Sequence, residues 1–196
     1  QVVESLALSD TSFYRDYEVF ARFENSLLPQ LRENNRATKK LRFWSLGCST
    51  GQETYSIAMG IKNKFLGLDE WDIDILGTDI SGVAIAKAQR GLYNNFETQM
   101  GLNIRTILQY LHKEGDAWQI NDDLRSMVEF RRYNMLDDIT FVDKFEVVFC
   151  RNVLRFFTED NQRRILAKLS LHQPFGGLLC LGKNEPVSYT HLTLPT

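Results

Sequence analysis

The stretch Trp44–Ser56, WSLGCSTGQETYS, decides how this chain is read. An apolar run, Leu41–Leu46, ends in small residues that hold Gly47 and Gly51, and helical spacing follows at once. Ile57, Ala58, Ile61 and Phe65 share one face of that helix. Strand, bare turn and helix in this order let backbone approach a ligand closely and aim the first helical N–H groups at it. The pattern G-x-G-x-x-G is absent, and so is the Lys of a phosphate-binding loop. Both absences argue against nicotinamide dinucleotides and ATP. Glu53, just inside the helix, would repel phosphates but could accept a cationic amine or sulfonium.

The same alternation continues outward. WDIDILGTD (71–79) predicts a second strand ending in Asp79, after which Ser81 caps the helix GVAIAKAQR and Gly91 closes it. MVEFRRYN (127–134) predicts a third strand. FEVVFC (145–150) is almost uninterrupted apolar, as expected of a parallel strand covered on both faces. Thr158 caps a helix with Glu159 and Asp160 in its first turn and Ile165, Leu166 and Leu169 on its core face, and GGLLCLG (176–182) closes with a last strand. Upstream, Thr11–Asn34 predicts one helix, capped by Thr11, with apolar residues from Phe13 to Leu31 at helical spacing. Residues 92–126 are least regular: a helix over Ile104–His112, then a turn and short strands in KEGDAWQIND. The expected architecture is α/β, a mostly parallel sheet flanked by helices, with a small inserted subdomain.

The expected organisation is a linker and first helix over 1–35, a main domain over 36–187 that contains the 92–126 insertion, and a non-native tail over 188–196. That tail follows a proline and has neither helix nor strand periodicity. A net charge of −2 over 196 residues gives no electrostatic case for nucleic acid. No apolar run approaches the roughly 18 residues of a membrane span, and no signal peptide is visible. The three cysteines lie in or beside apolar runs and the three histidines are scattered, so the expectation is reduced thiols, no metal site and a cytoplasmic protein.

In open α/β sheets, ligands bind beyond the carboxyl ends of the strands. Gly47–Gly51 stands at the first such end. Asp79, at the second, is placed to accept hydrogen bonds from ribose hydroxyls. Asn134, after the third, could read an adenine edge, and Cys150, Arg151 and Asn152 follow the fourth. A glycine-rich turn, a ribose acid and no phosphate grip describe S-adenosylmethionine. Each residue also has an ordinary structural use: tight strand–helix packing for the glycines, a helix cap for Asp79, a solvated helix face for Arg15 and turns for the asparagines.

At these residues the sequence strongly resembles the chemotaxis receptor methyltransferases, the CheR family. The matching segments are TSFYRD (11–16), WSLGCSTGQETYSIAM (44–59), ILGTDIS (75–81), VEFRRYNMLD (128–137), FEVVFCRNVLRFF (145–157) and GGLLCLGKNE (176–185). The resemblance implies a Rossmann-like methyltransferase fold. It also implies methyl transfer from S-adenosylmethionine to glutamate γ-carboxylates on the cytoplasmic helices of chemoreceptors, with S-adenosylhomocysteine as product. Carried over, Thr11 and Arg15 approach the methionine end of the cofactor and Glu53 holds its amino group. Asp79 binds the ribose, Asn134 and Met135 flank the adenine, and Arg151 and Asn152 border the cofactor. Arg15 suits orientation of the acceptor, because a guanidinium can hold a carboxylate by two hydrogen bonds.

The chain departs from the family pattern in places. Ser9, counted with the residues that the resemblance places at the cofactor, stands where the family usually has Asn; Gln52 and Thr54 are substituted, and Phe156 replaces a Tyr at the reaction centre. In some members the small β-subdomain grips a receptor C-terminal pentapeptide; the short KEGDAW tip, with no glycine-rich insertion, counts against such tethering here. Two functions from different classes stand at this point: an active protein-glutamate O-methyltransferase, and a cofactor-binding signalling module that has lost catalysis, which Phe156 and Ser9 would favour. A small-molecule methyltransferase is the weaker third.

Overall fold

The structure, a computed structural model, describes residues 11–65, 67–140, 144–183 and 185; Ser9 and the 188–196 tail lie outside the described residues. In chain order, a first helical stretch comprises α1 (Tyr17–Arg22), a π-helical turn (Phe23–Leu27) and α2 (Leu28–Asn34). Then come β1 (Lys40–Leu46), α3 (Gln52–Lys64), β2 (Asp72–Asp79) and α4 (Gly82–Arg90). A small unit follows: β3 (Leu92–Asn94), α5 (Asn95–Gln99), α6 (Ile104–Tyr110), β4 (Leu111–Glu114), β5 (Ala117–Ile120) and α7 (Asp122–Arg125). The chain returns through β6 (Val128–Arg132), β7 (Val147–Cys150), α8 (Glu159–Leu171) and β8 (Leu178–Leu181).

Five strands pair in the order β6-β2-β1-β7-β8, every pair parallel. The three short strands form a separate antiparallel sheet, β3-β5-β4. Residues on β1, β2 and β7 are buried on both faces of the sheet, which is why these segments read as apolar runs. One core cluster joins the first helices and α3 to the small unit, through Phe13, Phe20, Phe23, Tyr55 and Tyr93. The other lies between the sheet and α8, around Trp44, Phe145, Ile165 and Leu166. β1 is where the strand order reverses: the chain goes from it first to β2 and β6 on one side and later to β7 and β8 on the other. A crevice opens at such a switch point.

Several expectations need correction. The helix expected from Thr11 begins only at Tyr17, and Thr11 caps nothing. Tyr14 (φ 49) and Asp16 (φ 58) are left-handed, a backbone that breaks a helix. The Tyr14 N–H donates instead to Ser56 Oγ at 2.9 Å, and Phe13 buries its ring edge-on against Tyr93. Residues 11–16 are thus an irregular strap. Within the helix, Pro29 has no N–H and its ring would strike the carbonyl one turn back. The π turn immediately before it widens the spiral there, so the apolar spacing is only roughly helical. The helix expected to reach His112 stops at Tyr110, because Leu111–Glu114 pairs with β5 around a turn at Gly115 (φ 58). Thr158 stands at the N-cap of α8 without a side-chain capping bond.

Candidate active site

A cleft of about 580 Å³ lies beyond the carboxyl ends of β6, β2, β1 and β7. Thr11, Arg15, Gly47, Glu53, Asp79, Asn134, Met135, Arg151 and Asn152 all line it. Residues scattered over more than 140 positions are brought together because four parallel strands end side by side and the strap crosses over them.

The glycine turn is tightly held. Gly47 (φ 78) leaves no room for a side chain: a Cβ there would come within 2.9 Å of Met135 Cε and 3.1 Å of Val153 Cγ2. Gly51 (φ 96) opens α3, where a Cβ would strike Ala88. Asp79 ties the turn to the next helix. Its carboxylate accepts the Ser49 N–H and the Ser81 N–H, each at 2.9 Å, while Ser81 Oγ accepts from Ala84. Two of the roughly four acceptor positions of that carboxylate are thereby used. Ser81, not Asp79, is therefore the N-cap of α4; Asp79 braces that cap from outside the helix while lining the cleft.

Glu53 and Arg151 form the charged floor. Glu53 accepts from Ser45 Oγ at 2.8 Å and from Arg151 Nη1 at 2.9 Å. Burial raises the Glu53 carboxyl above its ordinary range, against the opposing pull of Arg151. The partly neutralised pair weakens the argument that Glu53 alone repels phosphate. Arg151 has a fully buried side chain that also donates to Asp16 and to the Arg15 carbonyl, and it lies over the Phe20 ring. It therefore fastens the strap to β7. Among the described residues its Nε has no acceptor.

Two asparagines take up turn duties as well. Asn134 Oδ1 accepts the Leu136 N–H at 3.1 Å and its Nδ2 donates to Asp137, closing the turn after β6. Asn152 is left-handed (φ 60). Its N–H donates to Glu185 at 2.7 Å, and Glu185 also accepts the N–H groups of Gly182 and Arg155. Asp16, Ser45 and Glu185 escaped the sequence reading. All three lie within the family-like segments, but a carboxylate whose partners are backbone N–H groups of a distant loop leaves no motif of its own. Cys48 lines the cleft, yet burial holds its thiol well above the ordinary range, with Asp79 and Glu53 adding to the effect. That makes it a poor nucleophile.

Residues 9–194 match the family described as CheR methyltransferase, SAM binding domain. The chain belongs to the CheR methyltransferase family. It is an S-adenosylmethionine-dependent methyltransferase by that membership. It is 34% identical over 192 residues to chemotaxis protein methyltransferase Cher2 of Pseudomonas putida, covering 96% of this chain and 70% of that protein. Chemotaxis protein methyltransferase 1 of Pseudomonas aeruginosa is 35% identical over 191 residues, covering 95% and 69%. Among solved structures, the DszA carbon methyltransferase shares the fold, with a TM-score of 0.55 at 17% identity over 84% of this chain and 35% of that one. The CheR cleft fits the cofactor by its donor set: Arg15 and Arg151 with Glu53 and Asp79 suit a ligand that carries ammonium, carboxylate and hydroxyl groups together. The bare Gly47 leaves that wall backbone only.

Proposed function

We propose that this chain methylates glutamate γ-carboxylates on the cytoplasmic helices of chemoreceptors, forming methyl esters. The observation that carries the reading is one cleft, in a CheR chain, where Arg15 lines the same space as Glu53 and Asp79. S-adenosylmethionine, when bound, supplies an electrophilic methyl group. Thr11, Arg15 and Glu53 would hold its methionine end, Asp79 its ribose, and Asn134 and Met135 its adenine, with Arg151 and Asn152 at the border. A glutamate is already ionised at neutral pH, so no general base is needed. What remains is in-line positioning, and Arg15 is the group assigned to orient the carboxylate by two hydrogen bonds.

No helix among the described residues is long and apolar enough to cross a membrane. We place the protein at the cytoplasmic side of the receptor array. The β4–β5 hairpin is tight, with Glu114 paired to Ala117, which supports direct docking on receptor helices over tethering through a receptor tail. The test is transfer of labelled methyl from S-adenosylmethionine to receptor cytoplasmic fragments, with base treatment releasing the label as methanol. Asp79→Ala should weaken cofactor affinity about tenfold or more, since a hydrogen bond to a charged group contributes roughly 1.5–3 kcal/mol. Base-stable label, or label only on small molecules, would reject the glutamate ester.

A further inference from the structure

The turn Leu154–Phe156 follows Asn152 and carries two residues into the mouth of the cleft, Arg155 and Phe156. Both line the same space as Arg15. Phe156 is 62% exposed, unusual for a large ring, and it offers no hydrogen-bond donor of its own. The Arg155 guanidinium lies 5.0 Å from the centre of that ring. The backbone beneath is fixed, because Glu185 accepts the N–H groups of Asn152 at 2.7 Å, Gly182 at 3.0 Å and Arg155 at 3.3 Å. Among the described residues, the cation contact with Phe156 is what engages the guanidinium, and no carboxylate is paired with it.

A guanidinium laid on a ring gives up much of its rotamer freedom but keeps its N–H edge available for in-plane hydrogen bonds. That edge is a planar fork matched to a carboxylate. Arg151, by contrast, is spent on Glu53 and Asp16 in the floor and cannot reach an incoming side chain. Arg155 is exposed, at the rim where a macromolecular acceptor must enter. We propose that Arg155, stacked on Phe156, is an acceptor-binding residue that grips the glutamate carboxylate together with Arg15. The Phe156 ring serves as the platform that holds the fork in place. This rests on the glutamate O-methyltransferase reading above.

The experiment compares the full chain with Arg155→Ala and Arg155→Lys, measuring methyl transfer to a receptor cytoplasmic fragment and S-adenosylmethionine affinity by calorimetry. Arg155→Ala should lower kcat/KM for the receptor about tenfold or more while leaving cofactor affinity unchanged. Arg155→Lys should recover only a minor part of the loss, because an ammonium keeps the charge and can rest over the ring but has no planar fork for the carboxylate. Retained cofactor binding also certifies the fold. Three outcomes overturn the inference alone: unchanged receptor kcat/KM in Arg155→Ala, full activity in Arg155→Lys (a remote charge effect), or cofactor affinity falling in step with activity. If the parent chain transfers no methyl to any receptor, the glutamate reading fails, and this inference with it.

Discussion

At the scale of single residues, the floor of the cleft sets charge against burial. Arg151 is fully buried between Glu53 and Asp16, and Glu53 keeps only 13% of its side chain exposed. Desolvation of such a pair can outweigh its attraction. The raised carboxyl of Glu53 says that here, for that group, burial wins over Arg151. The sign then follows. With its folded value above the ordinary 4.5, Glu53 favours folding fully below that pH, and the contribution is lost as pH rises through the folded value. Glu53→Gln mimics the protonated form. Denaturant unfolding across pH 4 to 8 should therefore show the variant gaining stability relative to the parent as pH rises. The gain is about 1.4 kcal/mol for each tenfold difference in proton affinity between folded and unfolded chains. A pH-independent gap, or one that moves the other way, would mean that Arg151 fully compensates the burial. The same substitution bears on the site, since the Gln side chain would lose the charge proposed to hold the cofactor's amino group.

At the scale of elements, the strap at 11–16 matters most, and it is where the sequence was least legible. The glycine turn, the Ser81 cap and the Gly91 stop could be read directly, because each uses a residue with one dominant local purpose. Strands β1, β2, β7 and β8 were legible from apolar content, and β6 (VEFRR) only from Val128 and Phe130 alternating with charged residues. The strap was not. Phe13, Tyr14, Tyr17 and Phe20 keep helical spacing, yet Phe13 is buried by tertiary contact with Tyr93 outside any helix and Tyr17 is exposed, so the spacing misled. Left-handed Tyr14 carries no local signature, and Asp16, though of a type that tolerates that backbone, is of one that mostly adopts others and so does not mark it. What seats the strap is Gly101 (φ 127), whose missing Cβ leaves room for the Phe13 carbonyl; an added Cβ would fall 1.9 Å from that oxygen. Gly101→Ala should therefore lift the strap from the small unit while leaving the main sheet intact. Expected readouts are faster proteolytic cleavage upstream of Tyr17 and cofactor affinity lower by about tenfold, as when charged hydrogen bonds from Thr11 and Arg15 are lost. Far-UV circular dichroism should barely change. Wild-type affinity with rapid cleavage would instead detach the strap from cofactor binding.

At the scale of the whole molecule, strand order ranks the parts by how deeply they are locked in. β1 and β7 lie inside the five-stranded sheet, whereas β8 is an edge among the described strands. The α/β class could be read from the alternation of elements, but this ranking could not, because pairing order depends on contacts between segments far apart in sequence. The three free cysteines report on it: Cys48 just after β1, Cys150 on β7 and Cys180 on β8. Cys48 and Cys150 are 1% and 0% exposed, and burial raises both thiols. Cys180 is half-buried, its thiol pushed up to about 11, chiefly by burial. At pH 8 about one part in a thousand of such a thiol is ionised, so native labelling should be slow at all three sites. In denaturant below the unfolding midpoint they should separate. Opening an edge strand exposes less surface than unfolding the sheet, so labelling at Cys180 should appear first and depend weakly on denaturant concentration. Cys150 and Cys48 should react together, with the steeper dependence of global unfolding. Cofactor should slow Cys48 further, because that residue lines the cleft. Mass spectrometry of labelled peptides reads all three rates from one sample. If Cys180 reacts in step with the other two, β8 is bound into the sheet as firmly as β7, and the sheet opens only as a whole.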